Sequence, residues 1–214
     1  MSKALSPSAD DALLVVDIQY DFCPGGSLAV QGGDEIVPLV NRIASGFPHV
    51  ILTQDWHPPD HLSFASAHPG RKPFESVELP YGMQTLWPDH CVQGTHGAAF
   101  HAMLEVSRAE LVLRKGFRRE IDSYSAFFEN DRRTPTGLAG YLRERSIRRV
   151  FLAGLALDFC VRWSAEDARR LGFDAIVIED CCRAIDTAGS LVEAHAAFKH
   201  SGAVLISSAV VGRA

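Results

Sequence analysis

A chain of 214 residues, 47% hydrophobic and 22% charged, has the size and make-up of one well-buried globular domain, and no shift in composition marks a second. Its formal net charge of −5 excludes a general attraction to nucleic acid or to an anionic membrane surface. No window is apolar for long enough to span a bilayer, and the first ten residues lack an apolar signal core, so a cytoplasmic protein is expected.

Residues 1–11 are expected to form a loose tail ahead of a domain over 12–214. Residues 12–16 are a continuous apolar run, the pattern of a strand buried on both faces, and they end at Asp17. No Gly-x-Gly-x-x-Gly follows, so the dinucleotide fingerprint is missing; a turn-rich loop from Ile18 to Gly26 comes instead. Asp34 reads as the cap of a helix with Ile36, Val40 and Ile43 on one side and Gly46 past its end. Residues 50–53 are a second strand leading to Asp55. From there to about residue 100 no periodicity outlasts a turn, and prolines from Pro58 to Pro88 punctuate the chain. A structureless stretch of that length inside a compact domain is commonly functional.

Residues 95–108 read as a helix with Phe100 and Leu104 inward. A third strand over 111–115 ends at Lys115, and Thr134-Pro135 has the cap and first-turn chemistry of another helix. A fourth strand over 149–153 is closed by Gly154. The helix after it, from Cys160 to Leu171, carries Val161, Ala165, Ala168 and Leu171 on one face. A strand over 174–178, a helix from about Asp186 with Leu191, Ala194, His195 and Phe198 inward, and a sixth strand over 203–206 complete the pattern. Strands alternating with helices define a single-domain, three-layer α/β/α fold with a six-stranded, mainly parallel sheet.

Ligands of such sheets bind outside the carboxyl ends of the strands, and four chemically unusual residues fall there: Asp17, Asp55, Lys115 and Cys160. Cys160 stands where a strand turns into a helix, and unpaired amides at such a turn favour a thiolate and can hold an oxyanion. A carboxylate such as Asp17 can take the thiol proton and return it to a leaving group. A lysine nearby lowers the thiol pKa and keeps the carboxylate ionised. The set suits acyl transfer from a carbonyl compound with an amine or ammonia leaving. Separately, Asp55 and His57 lie two apart in an extended segment and can face one centre, with His90 as a further ligand and His61 reaching it only through a turn. Oxygen and nitrogen donors suit zinc, iron or manganese alike. Five cysteines, two of them adjacent, make a poor disulfide framework, so Cys23, Cys91, Cys181 and Cys182 are expected as free thiols without an assigned role.

Five stretches carry a family resemblance: residues 17–30 (Asp-Ile-Gln-Tyr-Asp-Phe-Cys-Pro-Gly-Gly-Ser-Leu-Ala-Val), 53–61 (Thr-Gln-Asp-Trp-His-Pro-Pro-Asp-His), 87–95 (Trp-Pro-Asp-His-Cys-Val-Gln-Gly-Thr), 122–127 (Asp-Ser-Tyr-Ser-Ala-Phe) and 154–161 (Gly-Leu-Ala-Leu-Asp-Phe-Cys-Val). The chain resembles the nicotinamidase (pyrazinamidase) branch of the isochorismatase-like cysteine hydrolases over residues 12 to about 208. The resemblance implies a triad of Asp17, Lys115 and Cys160, with Cys160 attacking a carboxamide to form a thioester. It implies an oxyanion hole at the backbone N–H groups of Ala156 and Cys160, with a cis peptide before Ala156. It also implies one divalent metal, zinc first and iron or manganese as alternatives, on Asp55, His57 and His90, with His61 a ligand in some members. Phe22 and Trp87 match aromatic positions that sandwich a pyridine ring. Phe159 departs from relatives that carry histidine there. The implied partner is a small aromatic amide, nicotinamide or pyrazinamide, in NAD recycling; a homo-oligomer is left open. The competing readings are an isochorismatase or other small-amide hydrolase of the same superfamily, generally without the metal cluster, and a non-catalytic metal- or thiol-binding protein.

Overall fold

A computed structural model of the chain describes residues 5–212. In chain order the strands are β1 (Asp11–Val16), β2 (His49–Asp55), a hairpin of β3 (Ser76–Leu79) and β4 (Gly82–Thr85), then β5 (Leu111–Lys115), β6 (Arg149–Leu155), β7 (Asp174–Arg183) and β8 (Val204–Ile206). The helices are α1 (Val37–Ala44), α2 (Leu138–Glu144), α3 (Arg162–Arg170) and α4 (Ser190–Ser201). Six strands form one parallel sheet in the order β5-β2-β1-β6-β7-β8. Among the described residues no helix is long and apolar enough to cross a membrane.

The inner strands β1, β2 and β6 are buried on both faces, which is why they read as apolar runs. Along β1, Leu13 and Val15 join the core under α1, with Val37, Val40 and Ile43. Ala12, Leu14 and Val16 join the opposite core, with Leu138 and Leu142 of α2, Ala165 and Ala168 of α3, and Ala194 and Phe198 of α4. Burying a Leu, Val, Ile or Phe side chain fully contributes about 1.5–3 kcal/mol, so the two cores hold the strands in register from both sides.

From β1 the chain moves outward through β2 to β5, then returns to β6 on the other side of β1 and moves out to β7 and β8. The order therefore reverses between β1 and its two neighbours, and the crevice at that reversal opens at the carboxyl ends of the strands. Asp17 and Cys160 follow β1 and β6 there, while Asp55 and Lys115 are the last residues of β2 and β5.

Several expected elements differ. Of the tail expected over 1–11, residues 1–4 lie outside the described residues; Leu5 pairs with Val211, and Asp11 already belongs to β1. The helix expected over 95–108 does not form, apart from a single 3-10 turn at Val106–Arg108. Its backbone pairs with residues 18–21 instead: Tyr20 N–H donates to Ala99 O, Asp21 N–H to Gly97 O, and His101 N–H to Ile18 O. Gly97 permits this, because a Cβ there would collide with the Asp21 carboxylate. The helix expected from Thr134 starts at Leu138, because residues 134–136 pair with 127–129 through Glu129 N–H to Thr134 O and Thr136 N–H to Phe127 O. The segment between β2 and residue 100 holds the β3–β4 hairpin as well as irregular loop. Regular α-helix begins at Arg162 rather than Cys160, after a π-helical turn over Leu157–Val161. On α4, His195 is exposed; Ala194 and Phe198 are buried as expected.

Candidate active site

β1 stops because Asp17 turns left-handed (φ 47°), a conformation aspartate tolerates better than most residues, and Gln19 N–H then donates to Asp17 O. That turn points the Asp17 carboxylate across β2 toward the end of β5. Thr53 on β2 receives the Asp17 N–H (3.2 Å) and donates its hydroxyl to Asp17 Oδ1 (2.6 Å). At the end of β5, Lys115 is 1% exposed and donates to three acceptors: Asp55 Oδ1 at 2.5 Å, Ser123 O at 2.9 Å and Cys160 Sγ at 3.4 Å. Asp17 Oδ2 lies 2.8 Å from the same Nζ as an ion pair, so four acceptors share the three N–H bonds of one ammonium. Asp17, Asp55 and Cys160 each place a ligand-type atom within 4.8 Å of the other two. The Asp17 carboxylate thus stands beside the thiol, where it can receive the thiol proton.

The electrostatics follow from burial. Burial works against the Lys115 ammonium, but Asp17 and Asp55 outweigh it and hold its pKa well above the usual lysine range. Burial likewise works against the Asp55 carboxylate, and Lys115 and His57 outweigh it, keeping the carboxyl well below its usual range. For Asp17 burial wins over Lys115, with Asp55 adding to it, so its carboxyl titrates above the ordinary value. Burial pushes the Cys160 thiol well above its ordinary value, with Lys115 pulling the other way. Burial thus works against the thiolate that the strand-to-helix turn alone suggests, and Lys115 works for it.

Asp55 is the hinge of the site. Its Oδ1 belongs to Lys115, and its Oδ2 faces His57 Nε2 at 3.5 Å and His90 Nε2 at 3.8 Å. Both rings are aligned from behind: His57 Nδ1 donates to Gly116 O and His90 Nδ1 to Pro88 O, each at 2.8 Å. A carbonyl can only accept, so both Nδ1 atoms carry a proton and each ring turns its Nε2 toward Asp55. Gly116 (φ 66°) is required here, since a Cβ would collide with the His57 ring. His57 Nε2 is buried and has no hydrogen-bond partner. An orphaned imidazole nitrogen beside a carboxylate and a second imidazole, all ligand atoms within 4.8 Å, fits a divalent transition metal.

His61 stands apart from this trio. Its Nδ1 accepts from Ser63 N–H (3.1 Å), its Nε2 points to Ile121 O (3.4 Å), and its ligand-type neighbours are His57 and Asp122. Burial and the adjacent His57 push its pKa down to about 4.

Cys160, Asp55 and His90 line a narrow cavity walled by Phe22, Trp87, Tyr124 and Phe159. Aromatic walls of this kind suit the faces of a single ring. Ala156 also lines it, the Leu155–Ala156 peptide is cis, and the Ala156 N–H has no hydrogen-bond partner among the described residues. The larger groove between α3 and α4 is lined by arginines and their acidic partners and shares no lining residue with this cavity.

Some working parts stand in the motifs of the resemblance without a role assigned to them there. Gln19, fully buried, holds Asp55 by both backbone groups: its Nε2 donates to Asp55 O and its Oε1 accepts Asp55 N–H, each at 2.8 Å. Asp21 accepts Cys91 N–H (2.7 Å) and Ser27 N–H (3.1 Å), tying the loop that bears Phe22 to the loop that bears His90. Asp122, Ser123 and Tyr124 stand in a motif of the resemblance, but only the coordinates give them contacts.

A parallel sheet that brings a thiol, a carboxylate and an ammonium together at one rim is the frame a thiol-dependent hydrolase needs. The isochorismatase domain model matches residues 11–210, nearly the whole chain, and the chain belongs to that family. Within it, the chain is 54% identical to the nicotinamidase of Acinetobacter baylyi, over 92% of each sequence. A solved structure of an Acinetobacter baumanii nicotinamidase/pyrazinamidase superposes with a TM-score of 0.93 at 53% identity, covering 94% of this chain and 98% of that one. A Pyrococcus horikoshii pyrazinamidase solved in complex with zinc gives a TM-score of 0.73 at 32% identity, over 92% of this chain and 99% of that one. The expected isochorismatase-like α/β fold and the resemblance to nicotinamidases are both borne out.

Proposed function

We propose that this enzyme hydrolyses nicotinamide to nicotinate and ammonia through a thioester on Cys160, accepts pyrazinamide as well, and supplies nicotinate to NAD salvage. The observation that carries the reading is the buried Lys115 ammonium, which gathers Asp17, Asp55 and Cys160 around one point at the rim of the sheet. Relatives named nicotinamidase, at up to 54% identity over most of the chain, support the substrate class.

In the first half-reaction Cys160 Sγ attacks the amide carbon and its proton passes to Asp17 Oδ2. Lys115 stabilises the charge as it moves, and the N–H groups of Ala156 and Cys160 receive the oxyanion. Asp17 then gives the proton to the departing nitrogen, and ammonia leaves the thioester. In the second half Asp17 takes a proton from water, whose oxygen attacks the thioester carbon. The C–S bond breaks, nicotinate leaves, and the thiol regains its proton. Asp55, His57 and His90 would hold a divalent metal ion, which supplies a Lewis-acidic anchor for the pyridine nitrogen. Phe22 and Trp87 flank the ring.

The test is ammonia release from nicotinamide, pyrazinamide and non-aromatic amides, before and after chelation. The expected result is turnover of the two aromatic amides, lost on chelation and abolished in folded Cys160→Ala. Full ammonia release by Cys160→Ala contradicts the covalent route, and undiminished activity in metal-free enzyme contradicts the anchor.

A further inference from the structure

The cavity beside Cys160 has a neighbour, an outer hollow between the β3–β4 hairpin, Trp163 of α3 and the turn at residues 187–190. The two share two lining residues, Tyr124 and Phe159, so these rings form the wall between them.

The two rings are held in different ways. The Tyr124 hydroxyl accepts from Gln84 Nε2 (2.9 Å) and Trp87 Nε1 (3.1 Å), and Tyr124 N–H donates to Asn130 Oδ1 (2.9 Å). The Phe159 ring has no polar anchor. It leans edge-on against Trp87 and Tyr124, with ring centroids 4.9 and 5.6 Å away. Its backbone is tied down, since Phe159 N–H donates to Ala156 O and the next residue is Cys160. A phenyl ring placed this way contributes volume and nothing else to the wall.

We propose that Phe159 is the specificity-determining wall of the reaction chamber, restricting the enzyme to aromatic amides whose ring carries no bulky substituent. The inference rests on the aromatic-amide reading above and adds its size limit. Phe159 removal joins the chamber to the outer hollow, where Phe74, Met83 and Trp163 offer apolar surface to an added ring. Met83 is 69% exposed and Phe74 51%, so that surface is open to a substituent without displacing a packed core.

The experiment compares kcat/KM for nicotinamide with kcat/KM for nicotinamides carrying a phenyl group on ring carbons away from the amide, and for the benzo-fused analogue. In Phe159→Ala the ratio of extended to plain substrate rises about tenfold or more for at least one extended amide, the scale of discrimination an apolar pocket achieves. Phe159→Leu keeps an apolar contact with Trp87, shifts the ratio the same way by a smaller factor, and carries the test if the alanine variant does not fold. Variants that hydrolyse nicotinamide with the ratio unchanged, or that lose all substrates by one common factor, overturn the size-limit role alone. A wild-type enzyme inactive on nicotinamide and on every aromatic amide overturns the amide reading, and this inference with it.

Discussion

β1 carries an aspartate at each end, and the two behave in opposite ways. Asp11 opens the strand; burial works against its charge, but the Arg149 and Ser8 hydrogen bonds outweigh it and hold its carboxyl below the usual value. Both its oxygens are occupied, Oδ1 by Arg149 Nε at 2.7 Å and Oδ2 by Arg149 Nη2 and Ser8 N–H, each at 2.6 Å. Asp17 follows the strand and shares one ammonium with Asp55 and Cys160, so burial prevails and its carboxyl is raised. One rim spends its charges on a satisfied pair; the other shares one ammonium among two carboxylates and a thiol and leaves His57 Nε2 buried without a hydrogen-bond partner. A buried polar atom left unpaired is costly to stability, and this one faces the carboxylate of the candidate metal site.

The contrast can be broken most severely at Lys115. Lys115→Met removes the cation that Asp17, Asp55 and Cys160 share. Breaking a buried ion pair in this way lowers stability by about 3–5 kcal/mol; urea denaturation reads that loss, and ammonia release should fall to background. A stable, active variant would show that the ammonium is dispensable. Gln19→Ala is milder. It frees the backbone of Asp55 without touching a ligand atom, and loss of such outer support costs metal affinity about 10–100-fold. Competition with a chelator measures it, and unchanged affinity would reduce Gln19 to packing.

At the opposite rim, Arg149→Ala leaves the buried Asp11 carboxylate with fewer donors and should cost about 1–3 kcal/mol while kcat stays at the wild-type value. The sign of its pH dependence is fixed by the lowered folded pKa. The stabilisation is fully present above the carboxyl's unfolded value and is lost as pH falls through the lower folded one. The stability gap between wild type and Arg149→Ala is therefore widest near neutrality and closes in acid. A gap that widens in acid would contradict the assignment.

The catalytic rim was the most legible part of the sequence, and for a physical reason. Strands buried on both faces read as apolar runs, so a charge at the end of one stands out; Asp17 and Asp55 were visible for that reason, Lys115 as the charge closing a short strand, and Cys160 because it stands where a strand turns into a helix. Gln19, Asp21 and Thr53 were not, because their work is done on backbone or side-chain groups tens of residues away in the chain. Local pattern also misled where tertiary pairing took over. Phe100 and Leu104 have helical spacing, yet the segment around them spends its backbone hydrogen bonds on residues 18–21. Thr134-Pro135 has the chemistry of a helix start, yet is absorbed by pairing with residues 128–129. Gln84 sits in a hairpin whose outer residues are exposed, and nothing in the sequence showed that its side chain turns inward to donate to Asp122 and Tyr124.

The central claim is that Cys160, and no other of the five buried thiols, accepts the acyl group. Acid quenching of the enzyme during steady turnover of nicotinamide, followed by digestion and mass spectrometry, tests it directly. One nicotinoyl group on the peptide containing Cys160, and none in Cys160→Ala, is the predicted result; sustained ammonia release with the adduct on another cysteine would contradict it.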